Sequence, residues 1–187
     1  MYNKISLKGL ENIFVVSDFH YNHDRDFIWK TRGFNSCEEH GETLIKIWNE
    51  RVSNENIVFH LGDLIFNDPT GNETQNLISR LNFSRLYLLP GNHKSGVRKF
   101  YLNNLKNYFG ENCLFEAYPL KANHNRDIVF LPNLVDLEVD KQQFSLCHFP
   151  IASHENQSHG SYHLCGHSHG NCPMTNRETG KGRRLDV

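Results

Sequence analysis

Five short polar clusters in this chain carry the residue types that hold divalent metals: Asp18-Phe19-His20, Gly62-Asp63, Gly91-Asn92-His93, His148 and Gly166-His167-Ser168-His169. Each follows directly on an apolar run of strand type. In α/β architecture the carboxyl ends of strands gather along one edge, so clusters far apart in sequence can converge there. The donors are two aspartates, one asparagine and several histidines. Mixed imidazole and carboxylate ligands suit Mn²⁺, Fe²⁺ or Zn²⁺ rather than Ca²⁺. Asp18 and His20 are two residues apart, as are His167 and His169, and an extended turn would project each pair to one side. Gly62, Gly91 and Gly166 precede their clusters and allow sharp turns or close backbone approach. One such cluster alone is ordinary loop chemistry. Five in this order, each at a strand end, point to one shared metal centre.

The elements that must position these residues are legible as apolar runs. Ile13-Phe14-Val15-Val16, Ile57-Val58-Phe59-His60-Leu61 and Leu86-Tyr87-Leu88-Leu89 are short and unalternated, as strands covered on both faces are. Between them, Ser36-Cys37-Glu38-Glu39 supplies a capping box for a helix presenting Leu44, Ile45, Trp48 and Val52. Glu73 to Arg80 forms a short helix presenting Leu77, Ile78 and Leu81. Ser95 caps another that carries Val97, Phe100, Tyr101 and Leu105. Past residue 110 the texture turns β-rich: Cys113 to Tyr118, Asp127 to Leu131, Leu134 to Val139 and Gln143 to Cys147, with a turn at Asn123-His124-Asn125. Val135 to Val139 alternates strictly, as a half-solvated strand does. Residues Tyr21 to Phe34 and Phe149 to Tyr162 read as loops, the tail from Asn171 as turns, and Arg184 to Val187 as one more strand. Strand–helix alternation followed by a β-rich half predicts an α/β fold of two packed mixed sheets flanked by helices, a single domain over residues 1–187.

Composition narrows the function. The 187 residues include 20 Lys+Arg, 21 Asp+Glu and 12 His, for a formal net charge of −1. A chain this size buries roughly 70% of its unfolded surface and needs no staples. Near-neutral charge argues against bulk binding of nucleic acid through a basic face and favours a small substrate, such as a nucleotide, over a long polynucleotide. The polar stretch Met1 to Gly9 has no apolar leader core, and no run of 18 apolar residues occurs, so a cytoplasmic protein with no membrane span is expected. The cysteines, Cys37, Cys113, Cys147, Cys165 and Cys172, include no pair two residues apart, which speaks against a structural zinc cluster.

The order Asp-x-His, Gly-Asp, Gly-Asn-His, His, Gly-His-x-His resembles the calcineurin-like metallophosphoesterase superfamily, over Ile13 to His169. The segments Ser17 to His23, His148-Phe149-Pro150-Ile151 and His167 to Gly170 resemble its small stand-alone bacterial and phage members. The resemblance implies a two-sheet sandwich and two divalent ions, Mn²⁺ foremost, with Fe²⁺, Zn²⁺ and Ni²⁺ as alternatives. One ion would be held by Asp18, His20 and His169 and the other by Asn92, His148 and His167, with Asp63 bridging. It implies hydrolysis of phosphomonoesters or phosphodiesters by a metal-bridging hydroxide, with His93 as general acid or phosphate-binding cation. Two metals, two aspartates and a hydroxide leave a small positive charge that draws in a phosphate ester. Gly62 to Asp68 lacks the Asp-Arg-Gly continuation of the protein Ser/Thr phosphatases, which turns the reading away from that branch. The competing readings are a nuclease acting on DNA or RNA ends and a non-catalytic metal-binding interaction module.

The other histidines sort by context. His23, three residues after His20, is a candidate for substrate binding. His60 reads as a hydrogen-bonded core residue and His40 as surface. His154, His159 and His163 flank the loop before Gly166 and are candidates to line the pocket. Arg25, Arg32 and Lys94 are the nearest basic side chains for phosphate, each otherwise a solvated surface charge.

Overall fold

The apolar runs become parallel strands stacked side by side. A computed structural model of the chain describes residues 4–105, 117–119, 127–171 and 183–187, with side chains of 101–105 and 117–119 left undescribed. The strands are β1 (Lys4–Leu7), β2 (Ile13–Val16), β3 (Ile57–His60), β4 (Arg85–Leu88), β5 (Ala117–Pro119), β6 (Asp127–Phe130), β7 (Leu134–Val139), β8 (Gln142–Cys147), β9 (Tyr162–Cys165) and β10 (Arg184–Asp186). Among the described residues they form two five-stranded sheets, ordered β2-β3-β4-β6-β5 and β1-β7-β8-β9-β10. The first is parallel except at its β5 edge, and the second is parallel except between β7 and β8. Both are therefore mixed sheets, as the sequence predicts.

Side-chain alternation along the strands sorts the core into two layers. Phe59, Leu61, Tyr87, Leu89, Val129 and Leu131 face the second sheet and pack on Val135, Leu137, Val139, Leu146 and Leu164. Their neighbours Val58, Leu86, Leu88, Ile128 and Phe130 point the other way, against Ile45, Trp48, Leu77, Ile78, Val97 and Phe100. Those partners lie on or beside the helices α2 (Cys37–Arg51), α3 (Asn72–Arg80) and α4 (Ser95–Leu105). The first sheet is thus covered on both faces, which is why β3 and β4 are unalternated in sequence. β7 keeps its buried–partly exposed alternation. Each fully buried Leu, Val or Phe contributes roughly 1.5–3 kcal/mol to this sandwich.

Several details depart from expectation. Lys4–Leu7, read only as part of a polar N-terminal stretch, is β1 and pairs in parallel with β7, because Ile5 and Leu7 alternate with Lys4 and Ser6. The loop Tyr21–Phe34 contains a one-turn helix, α1 (Asp26–Trp29). The Ser36 hydroxyl accepts the Glu39 N–H as a capping box requires, but Glu39 returns to the N–H of Asn35, at 2.8 Å, rather than to that of Ser36. Most of the expected Cys113–Tyr118 strand, the Asn123–Asn125 turn, Cys172 and the turns of 172–182 lie outside the described residues, as do the side chains of Tyr101 and Leu105. Cys37, Cys147 and Cys165 are free thiols.

Candidate metal centre

Every cluster singled out in the sequence sits where a strand ends. Asp18 and His20 follow β2, Asp63 follows β3, Asn92 and His93 follow β4, His148 follows β8, and His167 and His169 follow β9. The loops are cross-tied at the backbone. Asp18 N–H donates to the Gly62 carbonyl, His20 N–H to that of Asp63, and Gly166 N–H to that of His148. The expected extended turns do not occur: Asp18, His20, Asp63, His167 and His169 all have φ between 49° and 68°. Left-handed backbone in non-glycine residues costs roughly 1–3 kcal/mol each and persists only where the surroundings over-determine it.

Two carboxylates organise the centre in the same manner. Asp18 Oδ2 accepts the His167 N–H at 2.8 Å, and Asp63 Oδ1 accepts the His93 N–H at 2.8 Å. Each thus fastens a neighbouring loop with one oxygen and leaves the other facing inward. Asp18 Oδ1 lies 3.5 Å from His20 Nε2 and 3.4 Å from His169 Nε2, and those two nitrogens are 3.1 Å apart. Asp63 Oδ2 lies 3.8 Å from His20 Nε2 and 3.5 Å from His148 Nε2. Asn92 Oδ1 is 2.9 Å from both His148 Nε2 and His167 Nδ1. Single donor atoms of Asp18, His20 and His169 fall within 4.8 Å of one another, as do those of Asp18, Asp63 and His148, and those of His20, Asp63 and His93.

This donor set fits divalent metal on its own chemistry. Asp18 Oδ1 is buried without a hydrogen-bond partner. His148 Nδ1 is 3.1 Å from the Leu61 carbonyl, which can only accept, so Nδ1 carries the proton. His148 Nε2 in turn faces Asn92 Oδ1 and Asp63 Oδ2, which both present lone pairs. Buried acceptors converging on one point need a cation among them, a proton on an imidazole or a metal ion. Burial would raise the Asp18 carboxyl, but the His20 ring beside it and the His167 N–H outweigh it and hold it well below the usual range. Burial likewise opposes ionisation of Asp63, and His148 and the His93 N–H reverse this. Burial lowers His148, yet its contact with Asp63 raises it overall. Burial lowers His169 against the pull of Asp18.

The remaining side chains divide into those near the centre and those behind it. His23 is buried, its Nδ1 3.3 Å from His20 Nδ1 and its ring stacked on Phe66. Burial and the neighbouring His20 and His93 push it down to about 4. His93 is half-buried, with its ring centroid 5.5 Å from that of His20. His60 is a core residue as expected, accepting the Gly62 N–H at Nδ1. His40 is not on the surface. It is fully buried, because α2 turns it under the Asp18 loop, where it meets Arg32. Arg32 is not a solvated charge but donates to the Asp18 and Phe19 carbonyls. His163 is fully buried behind the centre, held by the Ser145 carbonyl, rather than lining a pocket. Arg25 and Lys94 are exposed, as surface charges are, and His159 is exposed on a turn. The sequence reading missed the Arg32–His40 pair because its targets are backbone carbonyls, which no motif marks.

A two-sheet sandwich with Asp, Asn and His gathered at its strand ends is the architecture of a metallophosphoesterase. The chain belongs to the calcineurin-like phosphoesterase family, whose profile matches residues 11–171. The uncharacterized protein MJ1445 of Methanocaldococcus jannaschii is 35% identical over 92 residues, 49% of this chain and 52% of that protein. The chain thus spans about half the length of the curated relative it matches. The crystal structure of the protein of unknown function AQ665 from Aquifex aeolicus matches over 89% of this chain and 81% of that one, with TM-score 0.53 and 18% identity, a likeness of fold. Among the described residues, no helix is long and apolar enough to cross a membrane.

Proposed function

We propose that this protein is a dinuclear metal-dependent hydrolase of phosphate esters, in which Asp18, His20 and His169 hold one ion, Asn92, His148 and His167 the other, and Asp63 bridges both. The observation that carries this reading is the position of Asp63 Oδ2 between His20 Nε2 and His148 Nε2, at 3.8 and 3.5 Å. Divalent ions at such a pair supply Lewis acidity to the ester and lower the pKa of water toward neutrality. Mn²⁺ suits this oxygen-and-imidazole set, and the near-neutral net charge suits a small substrate.

The chain's own residues divide the remaining work. Asp18 and Asp63, both ionised, offset the charge of the metals. His23 accepts the His20 Nδ1–H and so turns His20 Nε2 inward, a role it can hold because burial keeps it neutral; this replaces direct substrate contact as its proposed task. Oriented in this way, an imidazole ligand loses little entropy on binding. His93, fixed through its N–H on Asp63 and still reachable from solvent, protonates the leaving oxygen of the ester.

Purified protein titrated with Mn²⁺ and given a nitrophenyl phosphate ester tests the reading. Close to two ions per chain and steady turnover are expected, with Asp63→Asn weakening both ions. One ion per chain, indifferent to that substitution, would refute the bridge, and absence of turnover on both mono- and diesters would refute the hydrolase.

A further inference from the structure

Phenylalanine rings border both halves of the candidate centre. Phe149 directly follows His148, and its ring lies 4.9 Å from the His148 ring and 4.8 Å from that of His167. It remains 43% exposed. On the other half, Phe66 stacks on His23 at 3.8 Å and meets the His93 ring edge-on at 5.0 Å. Phe27, 61% exposed, closes on the same His23 at 5.8 Å. Among the described residues, Phe27 and Phe149 are the exposed phenylalanines. Each forgoes burial, and each does so beside histidines of one site. An exposed aromatic ring beside the polar residues of one site offers a face on which a ligand's ring can stack.

The backbone beside Phe149 is also tied down. The fully buried His163 donates from Nδ1 to the Ser145 carbonyl at 2.9 Å, so its Nε2 accepts the Ile151 N–H at 3.2 Å. This pins the chain at Ile151, two residues beyond Phe149. A ring carried on an ordered backbone loses less entropy on stacking than one on a free loop.

We propose that the organic group of the substrate is a nucleoside whose base stacks on this phenylalanine rim while its phosphate lies at the centre, an inference that rests on the phosphate-ester reading above. Every nucleobase has a π-face, and stacking on an aromatic side chain is tolerant of which base is present. The spacing favours a nucleoside over a simple aryl phosphate. Phe27 stands one side chain out from the His20 layer, with His23 between, so a ring bonded directly to the ester oxygen would fall short of it. A ribose spans that interval.

Titration calorimetry on the Mn²⁺-loaded protein tests this with non-hydrolysable probes, the 5′-methylenephosphonates of adenosine and of ribose, which differ only in the base. The adenosine compound should bind roughly 5- to 150-fold more tightly, the range that one stacked base gives. Phe149→Leu or Phe27→Leu, which keep apolar bulk without a ring, should shrink that ratio, and Phe149→Trp should preserve it. Equal binding of the two probes, or a ratio indifferent to both leucine variants, overturns the inference and leaves the phosphate-ester reading standing. Benzylphosphonate binding as tightly as the adenosine compound overturns the nucleoside in favour of an aryl ester. Failure of both phosphonates to bind overturns the reading of the centre itself, and the inference with it.

Discussion

Arg32 holds Asp18 from behind: its Nη2 donates to the Asp18 carbonyl oxygen at 2.8 Å, on the backbone of the residue whose carboxylate faces the centre. Nη1 reaches the Phe19 carbonyl at 3.4 Å and His40 Nε2 at 3.0 Å. Arginine can only donate, so His40 accepts, and burial together with the Arg32 charge pushes its pKa down to about 4, keeping it neutral. The fork thereby fixes the carbonyls of a loop in which Asp18 sits at φ 55°. Lysine cannot reproduce a two-pronged contact. Arg32→Lys should cost about 1–3 kcal/mol of stability, the range for buried acceptors left unpaired. It should also weaken Mn²⁺ binding although Arg32 is no ligand. Denaturant unfolding and a metal titration of the variant check both, and an unaltered metal affinity would deny the loop-holding role.

Gly91 makes a second, steric demand. A Cβ there would overlap Asp63 Oδ1 and lie 2.8 Å from Asp63 Cγ. The Asp63 carboxylate cannot yield without leaving both His20 and His148. Gly91→Ala should therefore lower the bound metal per chain while the circular dichroism stays native. Full metal content in that variant would mean that the carboxylate has room the geometry denies it.

Asp68 lends stability apart from the centre. It is 1% exposed. Oδ1 accepts the Gly71 N–H at 2.8 Å, and Oδ2 accepts the N–H and hydroxyl of Thr74 at 2.8 and 2.7 Å, closing the start of α3. Burial would raise its pKa, but the Thr74 and Gly71 donors lower it overall. A carboxyl lowered in the folded state stabilises fully above the unfolded value of about 3.9 and loses that contribution as pH falls through the folded value. Asp68→Ala should cost about 1–3 kcal/mol near neutrality. The gap from the parent should close in acid, as read from unfolding midpoints at pH 7 and below pH 3. A gap that widens in acid would contradict the linkage.

What the sequence made legible follows from where chemistry is concentrated. β2, β3 and β4 announce themselves because the first sheet is buried on both faces, and the polar clusters at their ends stand out against those runs. β1 was hidden because Lys4 and Ser6 mask a two-residue apolar alternation that is meaningful only once β7 lies beside it. Arg32, His40 and His163 were misplaced for a related reason: their partners are carbonyls of loops whose paths are set by left-handed turns at Asp18, His20 and His169. Periodicity carries no sign of φ, so an i, i+2 pair reads as extended. The aromatic rim was equally invisible, since Phe27 and Phe149 lie 122 positions apart in the chain.

His93 is separable from the ligands by the leaving group. Its N–H is committed to Asp63, which fixes the backbone, while the ring packs edge-on to Phe66 and His20 and stays half-buried. In the function proposed above, this ring delivers a proton to an oxygen at the centre. The proton matters most when the departing alkoxide is strongly basic, as in an alkyl or nucleoside ester, and least for nitrophenolate, which departs unaided. His93→Ala should therefore keep its metals and lose roughly 10²–10⁴-fold in rate on the alkyl or nucleoside ester. On the nitrophenyl ester the loss should be far smaller. If the ring served only as a cation for phosphate, binding of both esters would weaken to a similar degree, so equal losses on the two would reject the acid role. One trio of atoms within 4.8 Å also includes His93 with His20 and Asp63. Elemental analysis of the variant therefore completes the test, because loss of metal would make His93 a ligand instead of an acid.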